Sequence, residues 1–307
     1  MPTLSDMIDE VTLNLSGYTL TQDRATYLTA NVEATASTIA TPIIMTLGSS
    51  DNLGIGVVEI DEELIWVESY DKVGNTATVP PYGRAYLGST LAAHTAGTKV
   101  TISPTFPRFA IKKAINDTIR AIGSSIFAAS TTTITTGSAD AYRLPTTGSP
   151  LNIRTILALS LKTPGASAEW LPIRKWRFDG NANTTSFTSG QSLSIYGSVP
   201  SGRTIQIVYS KDPTPFTANT EEFATQTGLP ESCKELIVLG ATYRLLSNLD
   251  PARGSMTSPQ ADEIDNKRPY GSSVSTTKHI YALFTQRLKE EIQSQQEKYP
   301  VRIHYSI

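Results

Sequence analysis

FPRFAIKKAINDTIRAIGSSIF, Phe106 to Phe127, is the stretch on which the fold turns. Ile111, Ala114, Ile115, Ile119, Ile122 and Ile126 recur at spacings of three and four, which places them along one face of a helix. Lys112, Lys113, Asn116, Asp117 and Arg120 fall mostly on the other side, so the helix is expected to bury one face only. Pro107 suits the first helical turn, and Gly123 to Ser125 weaken the far end. Thr/Ser-rich sequence with β character flanks the stretch on both sides. The comparable helical patterns lie far off, at Leu4 to Leu15, Pro230 to Leu249 and Thr277 to Lys298. An isolated amphipathic helix is marginal in water. The expectation is therefore an α+β fold: a discontinuous helical bundle with two inserted antiparallel β modules, each a small barrel or sandwich. The helical body takes residues 1–20, 104–129 and 229–298, the first β module 21–103 and the second 130–228. Residues 299–307 form a C-terminal docking arm.

Working outward, Thr3 is a cap for a first helix carrying Leu4, Ile8, Val11 and Leu15, and Gly17 stops it. Arg24 to Val32 reads as an extended connector. The first β module shows short Val/Ile/Thr-rich runs punctuated by Gly48, Asp51, Gly54, Gly74 and Gly97, with Asp61 to Glu63 as a charged hairpin turn. In the second, TTTITT, IRTILALSL, EWLPIRKW, SLSIYG and TIQIVYS read as strands, and Lys211 to Gly228 as a return loop. The 25 or so residues after Asp250-Pro251 have no periodicity, and a loop of that length in a compact domain points to function or to ordering by a partner. The last helix carries Ile280, Phe284, Leu288 and Ile292. Gln293 to Lys298 is wholly polar and is expected to project away. After Pro300 the final residues alternate, with Val301, Ile303, Tyr305 and Ile307 on one side and Arg302, His304 and Ser306 on the other. That is a strand pattern without a partner strand nearby, as expected of a segment that adds to another subunit's sheet or groove.

Composition narrows the function classes. Apolar residues make up 39% and charged residues 18% of the 307, enough for real cores and too little charge for general disorder. The formal net charge is -2 and no Lys/Arg run stands out, against the concentrated basic footprint of an autonomous nucleic-acid binder. Cys233 is the only cysteine, and His94, His279 and His304 are scattered, so no zinc-type spacing exists and no cofactor is expected. The amino-terminal residues lack the pattern of a secretion signal, and no run nears the roughly 20 apolar residues of a membrane span.

Four places hold residue types that could carry chemistry. Glu59, Asp61, Glu62 and Glu63 form the densest carboxylate group, but crowding at one turn favours solvated, ionised side chains over a paired acid and base. His94 has serines and threonines nearby but no orienting acid in a recognisable motif, so it reads as a turn histidine satisfied by backbone groups. Cys233 starts a helix, where a thiol can be activated, yet it reads as a small buried residue. Trp66, Trp170 and Trp176 read as core or interface residues rather than a sugar-stacking surface. The expectation is a protein without a catalytic site.

Two stretches carry a resemblance. GVVEIDEELIWVESYD followed by NTATVPPYGRAYLGSTLAAHTAGTKVTI resembles a β module of tailed-phage virion proteins, in which a strand of the type IxxEhIxV precedes RGxxGTxAAxHxxGxxV. Arg84, Gly88, Ser89, Thr90, Ala93, His94, Gly97 and Val100 match, and Ala85 stands where that pattern has Gly. The sequence FPRFAIKKAINDTIRAI, a β-rich region closing in IVYSKDPTPF, and GLPESCKELIVLGATYRLLSNLDPAR together are similar to the head-to-tail adaptor (connector) proteins of tailed phages. The resemblance implies a virion neck protein, a homo-oligomeric ring, typically of twelve copies, docked under the portal and meeting tail or nozzle proteins. DNA passes through as cargo and no membrane is involved. It further implies a portal-binding segment at Val301, Arg302, Ile303, His304, Tyr305 and Ile307. The alternative is a tail-tip or fibre-base protein whose β module contacts a receptor or a fibre.

Overall fold

The computed structural model describes residues 1–18, 22–35, 39–137, 141–144, 152–165, 169–197, 199–247 and 272–300. It is a mixed α+β fold in which every described strand pairing is antiparallel. The chain divides into two units. One comprises residues 4–117 and 238–282, the other residues 1–3, 118–237 and 283–307.

The first unit opens with helix α1, Leu4–Ser16, which buries Leu4, Met7, Ile8, Val11 and Leu15 at the expected spacing. Two sheets follow. One joins β1 (Arg24–Tyr27), β7 (Lys99–Ile102), β3 (Gly56–Ile60) and β4 (Glu63–Val67) in that order; the other joins β2 (Ile43–Thr46), β6 (Thr76–Val79) and β5 (Ser69–Asp71). They enclose a core that includes Leu28, Met45, Val58, Ile60, Ile65, Val67, Val79 and Val100. Of the stretch Arg24 to Val32, expected to be a connector, Arg24–Tyr27 is β1. Arg24 opposes Ile102 and Tyr27 opposes Lys99 in its ladder, so distant pairing decides its conformation where local sequence does not.

Helix α2, Arg108–Ile122, is the helix that Phe106 to Phe127 predicts. Ile111, Ile115, Ile119 and Ile122 are buried.

The second unit holds two further sheets. The larger runs β11 (Trp170–Pro172), β10 (Thr155–Lys162), β14 (Thr204–Lys211), β8 (Ala128–Thr135). The smaller runs β12 (Trp176–Asp179), β13 (Ser192–Ile195), β9 (Ala141–Arg143). Their core gathers Leu144, Ile156, Leu159, Leu193, Ile195, Ile205, Ile207 and Tyr209. EWLPIRKW is two strands, β11 and β12, rather than one, and the expected return loop contains a short helix, α3 (Phe223–Thr227). α4 spans Lys234–Leu246 and α5 spans Ser272–Lys298. The polar end of α5 does not project freely: the Gln295 side chain donates to the Phe127 carbonyl at 2.7 Å and accepts from its N–H at 3.2 Å. The Tyr299 ring packs on that of Phe127, centroids 5.8 Å apart.

Candidate functional site

The residues of the recurrent β motif converge on one buried carboxylate. β3 and β4 are joined by a tight turn at Asp61 and Glu62, with Asp61 at φ 55. The turn delivers Glu63 to the start of β4, where it is 1% exposed. The loop between β6 and β7 folds over it with left-handed backbone at Tyr82, Ala85, Leu87, Gly88 and Gly97. This path brings Arg84, 2% exposed, against Glu63: Nε donates to Oε1 at 2.6 Å and Nη2 to Oε2 at 2.7 Å. Such a two-pronged pair fixes geometry as well as charge. Nη1 donates to the Glu33 carbonyl at 3.1 Å and Nη2 also to that of Ala92 at 2.6 Å.

Glu63 also accepts from the amides of Ala85 (2.9 Å) and Ala92 (3.1 Å) and contacts His94 Nε2 at 2.9 Å. The other ring nitrogen of His94, Nδ1, lies 2.8 Å from Asp61 Oδ2. His94 also exchanges both backbone hydrogen bonds with Val32. The carboxylates fix its state. Burial works against a charged ring, but Glu63 and Asp61 outweigh it and raise the His94 pKa above 6.5. Burial likewise pushes the Glu63 carboxyl up, yet hydrogen bonds from His94, Arg84 and the two amides overcome it and hold the group at about 2. Both ring nitrogens of His94 face carboxylates, which favours the doubly protonated ring. The arrangement is a clasp that ties the loop 80–98 to the hairpin.

The motif residues differ in what they do. Gly88 and Gly97 supply backbone at φ 81 and φ 90, and the Gly97 N–H donates to Leu28 O at 2.7 Å. Ser89 accepts from the Leu64 amide at 3.0 Å. Thr90 is exposed and its side chain makes no hydrogen bond among the described residues. The expectations for the acids need correcting. Only Asp61 and Glu62 form the turn; Glu59 and Glu63 are buried, and His94 is satisfied by acids rather than by backbone alone. Glu63, the acid of the IxxEhIxV pattern, is the site residue that its crowded acidic neighbours hide in the sequence.

A second acid sits where β3 meets α2. Glu59, 4% exposed, accepts from the Arg108 amide at 2.5 Å, and burial raises it to about 7 against the opposing helix amides of Arg108 and Phe109. Beside it Arg108 pairs with Asp9 at 2.5 Å and Lys112 with Glu62 at 2.9 Å.

The other candidates resolve simply. Cys233 is fully buried, and burial together with the neighbouring Glu291 carboxylate pushes its thiol up to about 12, the reverse of activation. Trp66 stacks on Tyr86, Trp176 packs against the second core, and Trp170 is 41% exposed. Val301, Arg302, Ile303, His304, Tyr305 and Ile307 lie outside the described residues. Among the described residues no group of His, Cys, Asp and Glu is placed to hold a metal, and no helix is long and apolar enough to cross a membrane.

No curated protein matches the chain. The sequence profile described as SU10 adaptor protein matches residues 84–303, beginning at the arginine of the clasp and running through the second β region and the last two long helices. A match over more than half of the chain places the protein in the SU10 adaptor protein family, a family of phage adaptor-type proteins.

Proposed function

We propose that this chain is a ring-forming head-to-tail adaptor: it docks under the portal of a tailed-phage capsid, joins the capsid to the tail, and lines the channel through which DNA leaves. The family match over residues 84–303 carries this reading. In it the discontinuous helical bundle forms the body of the ring, and the β modules supply the unlike flanks that a heterologous ring contact requires. A net charge of -2 suits a wall past which DNA slides, because strong phosphate contacts would hold it back. The protein acts by binding, without catalysis or cofactor, in the virion neck. Its partners are further copies of itself, the portal, and tail or nozzle proteins.

Val301, Arg302, Ile303, His304, Tyr305 and Ile307 are the portal-binding arm in this reading, their alternation suiting a strand added to a partner's edge or groove. The test is a pull-down of purified portal particles with the full chain and with a chain lacking residues 299–307. Loss of binding on truncation is expected; undiminished binding removes the arm from the interface.

A further inference from the structure

Free sheet edges attract other chains, and most described edges of this protein are blunted. β5, β9 and β11 are three residues long. The Ile173 amide donates to the Leu159 carbonyl and the Thr163 amide to that of Glu169, which turns Trp170 and Pro172 of β11 outward, and proline has no N–H to offer. β2 and β12 are four residues long. The outer amides of β4 are taken by Ser89 Oγ and the Gly83 carbonyl, while the Gly48 and Ser49 amides donate to Tyr27 and Thr26 of β1. β8 differs. Its eight residues, AASTTTIT, carry no charge and no proline.

Which of its backbone groups are free follows from the two-residue period of an antiparallel ladder. The Thr136 amide donates to the Arg203 carbonyl, so Ile134, Thr132, Ser130 and Ala128 also bond β14. The count from β10 agrees: the Arg154 amide donates to the Ser210 carbonyl, which turns Tyr209 and Lys211 of β14 towards β8. Ala129, Thr131, Thr133 and Thr135 therefore direct their N–H and C=O groups outward, where no described residue bonds them, and the three threonines are exposed. At the preceding outward position the Gln295 amide closes the row by satisfying both backbone groups of Phe127.

This row is complementary to itself. Antiparallel pairing about a two-fold axis at Thr132 sets Ala129 against a second copy's Thr135 and Thr131 against its Thr133, and each such pair exchanges both backbone bonds. Threonine meets threonine on the exposed face, a favourable cross-strand pair, and no like charges face each other. Gln295 helps to fix the register, because it holds the groups of Phe127 that a ladder slipped that way would need. A slip the other way sets Ala129 against Gly137, past the end of β8. No other described edge offers so long a run of free, uncharged backbone, so the strand that matches β8 is β8 itself. We propose that two copies of this chain join through β8, merging their four-stranded sheets into one continuous sheet. A joint confined to residues 129–135 is much smaller than a permanent interface, so the pair parts on dilution. It does not depend on the adaptor reading. A ring closed by heterologous contacts contains no such two-fold, so under that reading the pair belongs to the unassembled chain.

Disulfide trapping tests both the pair and its register. Thr132 meets its own copy at a non-hydrogen-bonded site, where Cα atoms lie about 4.5 Å apart, within the span of a disulfide. Thr131 lies diagonally from its copy, beyond that span. Cys233, the only native cysteine, is fully buried. With oxidised glutathione as oxidant, the full chain carrying Thr132→Cys is expected to form covalent dimers at least about tenfold faster than the chain carrying Thr131→Cys, although Thr131 is the more exposed. Adding Thr133→Lys, which sets like charges across the joint at an exposed position, should slow the Thr132→Cys crosslink to the Thr131→Cys rate. Residue-resolved amide hydrogen exchange on the unsubstituted chain should show Thr131, Thr133 and Thr135 gaining protection as concentration rises, with Thr132 and Ile134 unchanged. Equal crosslinking of the two cysteine variants would overturn the proposal. Exchange at the three threonines that does not vary with concentration would also overturn it, since a second copy then leaves the edge untouched. No portal is present, so failure here leaves the portal-binding result as it stands.

Discussion

Arg84 and Glu63 show how much of this protein rests on single side chains. Both are buried, and neither can lose its partner without leaving an uncompensated charge away from water. Arg84→Ala is therefore expected to cost about 3–5 kcal/mol, read as a lowered midpoint in denaturant unfolding of the β module. Ala85, beside it, sits at φ 50 and ψ 36, a left-handed conformation that strains any residue with a Cβ. Ala85→Gly should relieve the strain and stabilise the fold by about 1 kcal/mol. Glu59 makes stability depend on pH. Its carboxyl is raised to about 7, so the neutral form is the one that fits the fold. Its contribution is fully present below the unfolded value of 4.5 and is lost as pH rises to about 7, a fall of about 3 kcal/mol. Glu63 acts in the opposite sense: its contribution is present above 4.5 and lost as pH falls towards 2. The contribution of His94 is present below 6.5 and lost as pH rises through its raised folded value. Denaturant unfolding at a series of pH values should show Glu59→Gln flattening the slope between 4.5 and 7 relative to wild type, with the acid limb unchanged.

At the scale of elements, packing decides what local pattern leaves open. Gly228 ends α3 in the left-handed conformation at φ 71, its N–H donating to Ala224 O at 3.0 Å. A Cβ there would stand 2.8 Å from the Ala128 Cβ at the start of β8. Gly228→Ala should thus cost at least about 2 kcal/mol in unfolding free energy, from backbone strain plus the clash. The strong signals in the sequence were the long periodic ones: the isoleucines of α2 and the Leu4, Ile8, Val11, Leu15 stripe of α1 both emerge buried. Weak signals failed where non-local partners made the element. β1 has only four residues and owes its form to Lys99–Ile102, and α3 is too short for any period to show. Gln295 misled because polarity suggests solvent, while its amide offers the donor and acceptor that Phe127 requires. The clasp was half legible. Arg84 and His94 stood out through the motif, but the acid they share looked like one of four in a turn. Only the turn, which gives Asp61 left-handed backbone and starts β4 at Glu63, separates the exposed acid from the buried one.

At the scale of the whole molecule, the chain is an adaptor-family protein whose motifs serve architecture. The ionisable residues of the clasp hold a loop to a hairpin, and Cys233, Trp66 and Trp176 serve packing. The direct measurement of the central claim is the mass of purified portal particles before and after addition of the full chain. The account predicts one cooperative step of many copies, matching a closed ring, and no addition by a chain lacking residues 299–307. A mass that stays unchanged with the full chain, or rises by single copies without closing, would contradict it.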